Sequence, residues 1–251
     1  MRAVIVIPAR MGSTRFPGKV LADLVGKPLI QHVYEHARLA KGADDVIVAT
    51  DSDEVRDAVT AFGGRAVMTS PTHVSGTDRI AEVAAGLDCD IIVNVQGDEP
   101  LMEPSTIESV IDLMEDGSAD MGTAALRIRS DAAAQDPNSV KVVFGKDGFA
   151  LYFSRSPIPY HRDIWKKGPG SATSGRGTRL FKHIGIYSYR KEALMRLAEL
   201  PPTELEMIER LEQLRALESG IRIKVAVVDS DTQGVDTPED LERVIRMMKR
   251  K

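Results

Sequence analysis

The sequence predicts an α/β fold in which helices cover both faces of a mostly parallel central sheet, with a β-rich segment in the middle of the chain. Short apolar runs of strand length alternate with amphipathic stretches, which is the pattern of repeated β-α-β units. The 251 residues, of which 43% are hydrophobic, suffice to bury one substantial core. Neither an internal repeat nor a linker divides the chain, so we expect a single domain over residues 1–251.

The alternation is most regular in about the first hundred residues, and it is typical of a nucleotide-binding half-domain. The elements predicted there are strands at 3–7, 46–50, 66–68 and 91–95 and helices at 28–40, 52–62 and 77–85, and a helix at 105–114 comes next. Closely spaced strands follow at 121–128, 141–144, 149–154 and 182–189. The chain then returns to α/β character, with a helix that opens at Thr203, a strand at 222–228 and a last helix from Pro238. Because Thr237 and that proline are typical of a helix start, Asp236 lies directly ahead of a helix N-terminus.

Composition narrows the classes of partner. A formal net charge of -4, with no long run of one sign, predicts no nucleic-acid binding. The apolar segment at 3–7 ends at Pro8 and is too short for a signal sequence or a membrane span, so we expect a cytoplasmic protein without a membrane partner. The single cysteine, Cys89, precedes a predicted buried strand and is interpreted as an inert structural thiol.

The segment IPARMGSTRFPGK, residues 7–19, leaves the first predicted strand at the edge where open α/β sheets bind ligands. Its glycines let backbone amides approach a phosphate, and its three cations can balance a triphosphate. These cations are Arg10, Arg15 and Lys19. The segment is neither a Walker A loop nor a dinucleotide fingerprint. The alternative is that the arginines are solvated loop charges.

Two further segments place polar groups near the same edge. After the strand at 91–95, the chain turns outward at Gly97 and Asp98, where a carboxylate can hold a hard cation against phosphate oxygens. The segment SGTDR, residues 75–79, offers backbone and hydroxyl donors at the start of a helix. The alternatives are that the aspartate forms a turn and that Thr77 caps the helix.

Six segments besides the first loop occur in the order found in one known family. They are SGTDR, NVQGDEP (94–100), ALYFSRSPIPY (150–160), HIGIY (183–187), LEQLRALE (211–218) and GVDTPEDLE (234–242). Because they span nearly the whole chain, the sequence resembles the bacterial 3-deoxy-manno-octulosonate (KDO) cytidylyltransferases. The resemblance implies a nucleotide-diphospho-sugar transferase-like fold. It also implies the activation of KDO with CTP for lipopolysaccharide biosynthesis, with Mg²⁺ as cofactor, in a homodimer.

The resemblance assigns roles to individual residues. The catalytic group is Arg10, Arg15, Lys19 and Asp98, and the metal ligands are Asp98 and Asp236. The nucleotide-binding group is Ala9, Arg10, Gly12, Ser13, Lys19, Ser75, Gly76, Arg79 and Asp98. The sugar-binding group is Gln96, Arg155, His183, Tyr187, Glu212 and Gln213. Within the last group, the period of a strand places His183 and Tyr187 on one face.

Two departures from the common family pattern stand out. The first loop reads RFPGKV where many members have Leu after Arg15 and Pro after Lys19, which leaves the cations unchanged. The segment between Tyr160 and His183 is longer and rich in glycine, so we expect residues 168–178 to form a mobile excursion that orders over the acceptor, although an insertion without function is an equal alternative.

Alternative functions stay open at this point. The acceptors that stay open are KDO, its 8-amino analogue, a sialic acid and a sugar 1-phosphate. The first two differ by one hydroxyl-to-amine change, which has no sequence signature. A protein of a different class, a non-catalytic nucleotide-binding regulator, would keep the fold but has less need of Lys19, Asp98 and Asp236.

Overall fold

The computed structural model describes residues 1–162 and 180–249. Its strands are β1 (Ala3–Ala9), β2 (Asp23–Leu24), β3 (Lys27–Pro28), β4 (Asp45–Thr50), β5 (Ala66–Met68), β6 (Ile91–Asn94), β7 (Met121–Arg127), β8 (Lys141–Phe144), β9 (Ala150–Ser154), β10 (Phe181–Arg190) and β11 (Ile223–Val228). Its helices are α1 (Leu29–Leu39), α2 (Asp53–Ala61), α3 (Gly76–Ala85), α4 (Pro104–Asp112), α5 (Asp131–Gln135), α6 (Lys191–Glu199), α7 (Glu204–Glu209), α8 (Gln213–Glu218) and α9 (Pro238–Met248). The proposed excursion at 168–178 lies outside the described residues.

Within the described residues, nine strands form one sheet, and seven of them follow the order β11-β7-β10-β6-β1-β4-β5. The pairs β1-β4, β1-β6, β4-β5 and β7-β11 are parallel, whereas β10 runs antiparallel to both of its neighbours on this path. The short strands β8 and β9 extend β10 with antiparallel pairing. This confirms the predicted mostly parallel sheet with a β-rich middle segment.

Both faces of the sheet are buried, as the alternation of residues along β1 illustrates. Ala3, Ile5 and Ile7 pack into one apolar cluster with residues of α1, α2 and α4. Val4 and Val6 pack into a second cluster with residues of α3, α6 and α8. Because successive side chains of a strand point to opposite faces, one apolar run supplies both cores.

The predicted elements agree with the structure except where local signals are weak. Strand β10 begins at Phe181 and carries a bulge between Ile184 and Tyr187. Helix α6 begins directly after β10 without a side-chain cap, so the sequence carried no start signal. The helix predicted to open at Thr203 is only α7, because Arg210 takes a positive φ of 55° and ends it before α8.

The parallel strands bring their carboxyl ends to one edge of the sheet. Arg10 follows β1, Asp51 follows β4 and Gln96 lies two residues beyond the end of β6. Residues that are far apart in the sequence therefore meet at this edge.

Candidate active site

An open pocket of about 340 Å³ lies at the carboxyl edge of β1 and β6. This volume lies within the range of small-molecule sites, roughly 300–1,000 Å³. The pocket is lined by many of the residues predicted to bind the nucleotide, the sugar or the metal. They are Ala9, Arg10, Ser13, Arg15, Lys19, Ser75, Gly76, Arg79, Gln96, Asp98 and Asp236. Gly12, which was also predicted to bind the nucleotide, belongs to the same loop but does not line the pocket.

The loop after β1 folds back around the carbonyl of Met11. The backbone N–H groups of Ser13 and Gly18 donate to this oxygen at 2.9 and 3.1 Å. Gly18 has a φ of +71°, a conformation that a side chain disfavours, and Lys19 follows it directly. The turn thus brings Lys19 back toward the strand end, while Arg10 stays exposed.

Lys19 lies between the two predicted metal ligands. Its Nζ is 2.6 Å from Oδ2 of Asp98 and 3.0 Å from Oδ1 of Asp236. The guanidinium of Arg15 also contacts Asp236 at 3.0 Å, and the side chain of this arginine is 66% exposed. Burial acts to lower the pKa of Lys19, but the charges and hydrogen bonds of the two aspartates outweigh it and raise the pKa. We use the name phosphate edge for Arg10, Arg15, Lys19, Asp98 and Asp236.

A tight turn explains why glycine precedes Asp98. A Cβ atom at Gly97 would lie 2.7 Å from the carbonyl oxygen of Pro8, closer than real Cβ atoms approach backbone oxygens. The absence of a side chain lets the turn after β6 pass directly against the end of β1.

The segment before α9 is attached to the turn that carries Asp98. The N–H of Val235 donates to the carbonyl of Asp98 at 2.9 Å, and the hydroxyl of Thr232 donates to the carboxyl of Glu99. Burial, together with the charge of Asp98, raises the pKa of Glu99 to about 8. At pH 7 this carboxyl is therefore mostly neutral and adds little further negative charge beside Asp98.

The start of α3 faces the pocket. Ser75 caps the helix in a reciprocal capping box with Asp78, each contact measuring 3.1 Å. The interpretation that Thr77 serves as the cap is therefore wrong. The hydroxyl of Thr77 donates instead to Glu212.

Arg79 is 3% exposed and is held on two sides. Its guanidinium donates to Asp51 at 2.7 Å and to the hydroxyl of Thr69. Asp51 follows β4, so a neighbouring strand end orients the side chain that was predicted to recognise the base. A buried guanidinium held in this way is already ordered before a ligand binds.

Of the predicted sugar residues, Gln96 alone lines the pocket, where its amide donates to Asn94 at 3.2 Å. We call the other members the acceptor set. They are Arg155, His183, Tyr187, Glu212 and Gln213. Arg155 donates through its guanidinium to the backbone carbonyls of Glu209, Pro137 and Arg210.

His183 is buried and contacts one other member of the acceptor set, Tyr187. Its Nε2 shares a hydrogen bond of 3.0 Å with the hydroxyl of Thr123, and its ring lies 5.0 Å from that of Phe153 and 5.4 Å from that of Tyr187. The contact between His183 and Tyr187 agrees with the shared face that the strand period predicts. Burial lowers the pKa of His183 to about 3 and raises that of Tyr187.

Glu212 and Gln213 lie at the start of α8. Burial raises the pKa of Glu212, and the hydrogen bond from Thr77 opposes this shift. Gln213 is 5% exposed, and in the described part of the chain its side-chain nitrogen has no hydrogen-bond partner. An unsatisfied buried amide is costly unless a ligand or water completes it.

The comparisons with known proteins agree along the whole chain. A family model described as cytidylyltransferase matches residues 4–223. The 3-deoxy-manno-octulosonate cytidylyltransferase of Geotalea uraniireducens is 54% identical over 251 residues and 100% of both chains. That of Geobacter sulfurreducens is 51% identical over 250 residues, 99% of this chain and 100% of the relative.

The chain belongs to the cytidylyltransferase family, among the 3-deoxy-manno-octulosonate cytidylyltransferases. A solved structure of a CMP:2-keto-3-deoxy-manno-octonic acid synthetase in complex with CTP has a TM-score of 0.91 and 47% identity, and it covers 100% of this chain and 99% of the other. A 4-diphosphocytidyl-2C-methyl-D-erythritol synthase from Anaerococcus prevotii, at a TM-score of 0.64 and 12% identity over 99% of both chains, shares the fold.

The pocket of this family member is also lined by residues to which the sequence assigned no role. They are Pro8, Thr14, Val20, His73 and Val74, and Gly97, where the sequence predicted the outward turn, lines the pocket with them. His73 and Val74 directly precede the capping serine of α3, so the cap was a signal for their position. His73 pairs with Glu82, which also accepts the N–H of Ser70 at 2.9 Å.

The donor set at the phosphate edge fits a hard divalent cation. Within residues 1–162 and 180–249, no group of three or more His, Cys, Asp or Glu side chains forms a metal site by itself. Asp98 and Asp236 nevertheless meet at one ammonium group, so the same two carboxylates are close enough to share a cation. Mg²⁺ is commonly held by one or two carboxylates together with phosphates and water.

In the part of the chain that the structure describes, no helix combines the length and the apolar character needed to cross a membrane.

Proposed function

We propose that the protein transfers CMP from CTP to the anomeric hydroxyl of KDO and releases pyrophosphate. The proposal is supported by the full-length relation to 3-deoxy-manno-octulosonate cytidylyltransferases. The single observation that carries it is the meeting of Lys19, Asp98 and Asp236 in the pocket, since a loop cation and two carboxylates are what a metal-nucleotide complex requires.

The nucleotide would bind across the phosphate edge and the start of α3. Arg10 is exposed and, among the described residues, has no hydrogen bond or ion pair, and Arg15 has one exposed ion pair. Their guanidinium groups are therefore available for the triphosphate. Ser75, Gly76 and Arg79 lie on the opposite wall, where polar edges of the base and ribose would be read.

Asp98 and Asp236 would hold Mg²⁺ with the phosphate oxygens. The bound ion supplies positive charge that neutralises the phosphates and polarises the transferred phosphoryl group. Lys19 contacts both carboxylates, so its ammonium would lie beside the bound ion and add positive charge next to the phosphates.

The acceptor would bind between Gln96 and the acceptor set. KDO carries one carboxylate and several hydroxyls, which call for cations and for groups that both donate and accept. Arg155 would exchange backbone acceptors for the sugar carboxylate, and the unsatisfied amide of Gln213 offers a donor. Glu212 is a carboxylate that accepts hydrogen bonds from hydroxyls.

The chemistry is a single displacement at phosphorus. The anomeric oxygen forms a bond to the α-phosphorus, the bond from that phosphorus to the bridging oxygen breaks, and the hydroxyl proton is released. Arg10, Arg15 and Lys19 balance the charge that develops on the phosphate oxygens and on the leaving pyrophosphate. Alignment and charge neutralisation carry the catalysis, and no covalent enzyme intermediate is needed.

We also propose a cytoplasmic homodimer. Closely spaced strands in the middle of the chain leave apolar side chains exposed, among them Leu151 on β9. A second copy that covers such residues would remove apolar surface from water. Light scattering at micromolar concentration tests the proposal, and a monomer mass would contradict it.

Pyrophosphate release tests the proposed reaction. The purified protein, CTP and Mg²⁺ are assayed with KDO, with 8-amino-KDO, with a sialic acid or with no acceptor. We expect KDO to be the only acceptor that supports rapid pyrophosphate release, or the one that supports the fastest release. A large preference for 8-amino-KDO would change the acceptor. Tight CTP binding without release for any acceptor would favour the non-catalytic regulator.

A further inference from the structure

Thr77 connects the nucleotide pocket to the acceptor set. It is the second residue of α3 and follows Gly76, which lines the pocket. The side chain is 3% exposed, and its hydroxyl donates to Oε2 of Glu212, 135 residues away in the sequence. Because Ser75 caps the helix, the hydroxyl of Thr77 is not needed for the helix start.

Among the described residues, the hydrogen bond from Thr77 is the only one that the carboxylate of Glu212 accepts. In the described part of the chain the nearest cation is Arg215, which lies 3.9 Å from Oε1 and whose guanidinium is bound instead to Glu206 at 2.6 and 2.8 Å. Within the described residues, Oε1 therefore has no partner at hydrogen-bond distance. The side chain of Glu212 is 35% exposed, so this oxygen can accept a hydrogen bond from a ligand hydroxyl.

The same hydroxyl belongs to a polar group that extends below the pocket. The side chains of Thr77 and Asn94 interact with the hydroxyl of buried Tyr189, and Asn94 accepts from Gln96. Gln96 lines the pocket. Buried polar groups that interact in this way restrict one another's side-chain positions.

We infer that Thr77 is a positioning residue for the acceptor: it holds one oxygen of the Glu212 carboxylate so that the other accepts a hydroxyl of the sugar. The inference rests on the proposed function and adds a residue that does not itself touch either substrate. It also places the residue that supports the acceptor contact on the same helical turn as Ser75 and Gly76, so one turn of α3 serves both substrate sites.

The test compares Thr77→Val, which removes the hydroxyl but keeps the shape, with Thr77→Ser, which keeps the hydroxyl. Pyrophosphate release gives the KM for KDO, and calorimetry without sugar gives the Kd for CTP. Loss of a hydrogen bond to a charged group predicts a KM for KDO raised about tenfold in the valine variant. We expect the Kd for CTP to change by less than about twofold and the serine variant to stay within about threefold of wild type in both constants.

A pH profile supplies a second readout. The groups around Glu212 are Arg215, Glu206, Asp78, Tyr187 and Tyr189. Since the hydrogen bond from Thr77 favours the ionised carboxylate, its removal lets Glu212 bind a proton at higher pH. The acid limb of kcat/KM for KDO should therefore move to higher pH in the valine variant and return in the serine variant.

The outcomes separate the inference from the proposed function. If wild type releases no pyrophosphate with any acceptor, the proposed function fails. If wild type turns over KDO and the valine variant keeps its KM and its pH limb, the inference alone fails. A variant with lower kcat and an unchanged KM for KDO also overturns it. If the valine variant does not fold, Thr77→Ala takes its place against the same serine control.

Discussion

At the phosphate edge Arg10 and Arg15 extend into solvent, whereas in the acceptor set Arg155 is bound to three backbone carbonyls. The first region presents cations with few protein partners to the pocket. The second region keeps most of its polar groups bonded to the protein, and His183 lies between aromatic rings. The exceptions in the second region are the side-chain nitrogen of Gln213 and one carboxylate oxygen of Glu212, which lack a hydrogen-bond partner among the described residues.

The difference indicates that the two substrates meet different costs. In the proposed sites, the nucleotide would meet charged groups that are already placed at the pocket and need to exchange few protein contacts. The acceptor would displace internal hydrogen bonds, so part of its binding free energy would be used in rearrangement. We therefore expect substitutions at the phosphate edge to affect the rate, and substitutions in the acceptor set to affect stability as well.

The largest effect is expected for Asp98→Asn, which keeps the shape but weakens metal attachment. If the charge supplies the roughly 3 kcal/mol typical of preorganised stabilisation, kcat should fall about a hundredfold or more. The loss of kcat in Asp236→Asn should be smaller, because Asp236 also forms an ion pair with exposed Arg15. Turnover measured across a magnesium titration gives the loss of kcat, and thermal melts give the change in stability. Excess Mg²⁺ should restore part of the rate.

Asp231→Asn is the matched control for these two variants. Asp231 lies in the same segment as Asp236 and pairs with Lys182 at 2.7 Å, and its side chain is 54% exposed. Its turnover should equal that of wild type. Near-normal turnover of Asp98→Asn with a lowered melting temperature would remove Asp98 from the mechanism.

The next effect concerns the turn that presents Asp98. In Gly97→Ala the new Cβ would lie 2.7 Å from the Pro8 carbonyl, so the turn must shift. Such overpacking costs about 1–3 kcal/mol of stability, and displacement of Asp98 should lower kcat about tenfold. The control is Gly86→Ala, since its Cβ would meet only ordinary contacts at 3.8 Å. Urea unfolding and turnover should be normal for the control. Equal results for the two variants would contradict the close approach of Gly97 to the Pro8 carbonyl.

The acceptor set should show itself in the pH dependence of stability. His183 is neutral in the fold because burial lowers its pKa from 6.5 to about 3. Between these values the unfolded chain binds the extra proton, so stability falls as pH falls below 6.5. At pH 5 the loss is about 2 kcal/mol relative to pH 7.5. In His183→Gln that loss should be absent from urea unfolding curves, and an unchanged slope would contradict the burial argument.

The smallest effect tests the wall of the nucleotide pocket that lies before α3. Glu82→Gln weakens the attachment of Ser70 and His73, which hold the segment next to Ser75. An exposed pair is worth up to about 1 kcal/mol, so the Kd for CTP should rise about threefold. The KM for KDO should not change, because the acceptor set has no contact with this segment among the described interactions. A larger change in the KM for KDO than in the Kd for CTP would contradict the separation of the two regions.

Much of the phosphate edge followed from local sequence. The first loop places its glycines and cations within 13 residues of one strand, and parallel strands align their ends at one edge. The sequence motif also placed Asp98 one residue after the turn at Gly97. Local order of this kind survives folding because short segments fix their own geometry through turns and caps.

The sequence by itself determined the α/β fold, the position of the ligand edge, and the family to which the chain belongs. Tertiary structure alone decided that Lys19 joins Asp98 to Asp236, and that Thr77 donates to Glu212 instead of capping α3. These contacts join segments far apart in the chain, and their distances follow from how helices pack on the sheet. No local pattern encodes which buried polar group meets which partner, because that choice is made by the whole core when it closes.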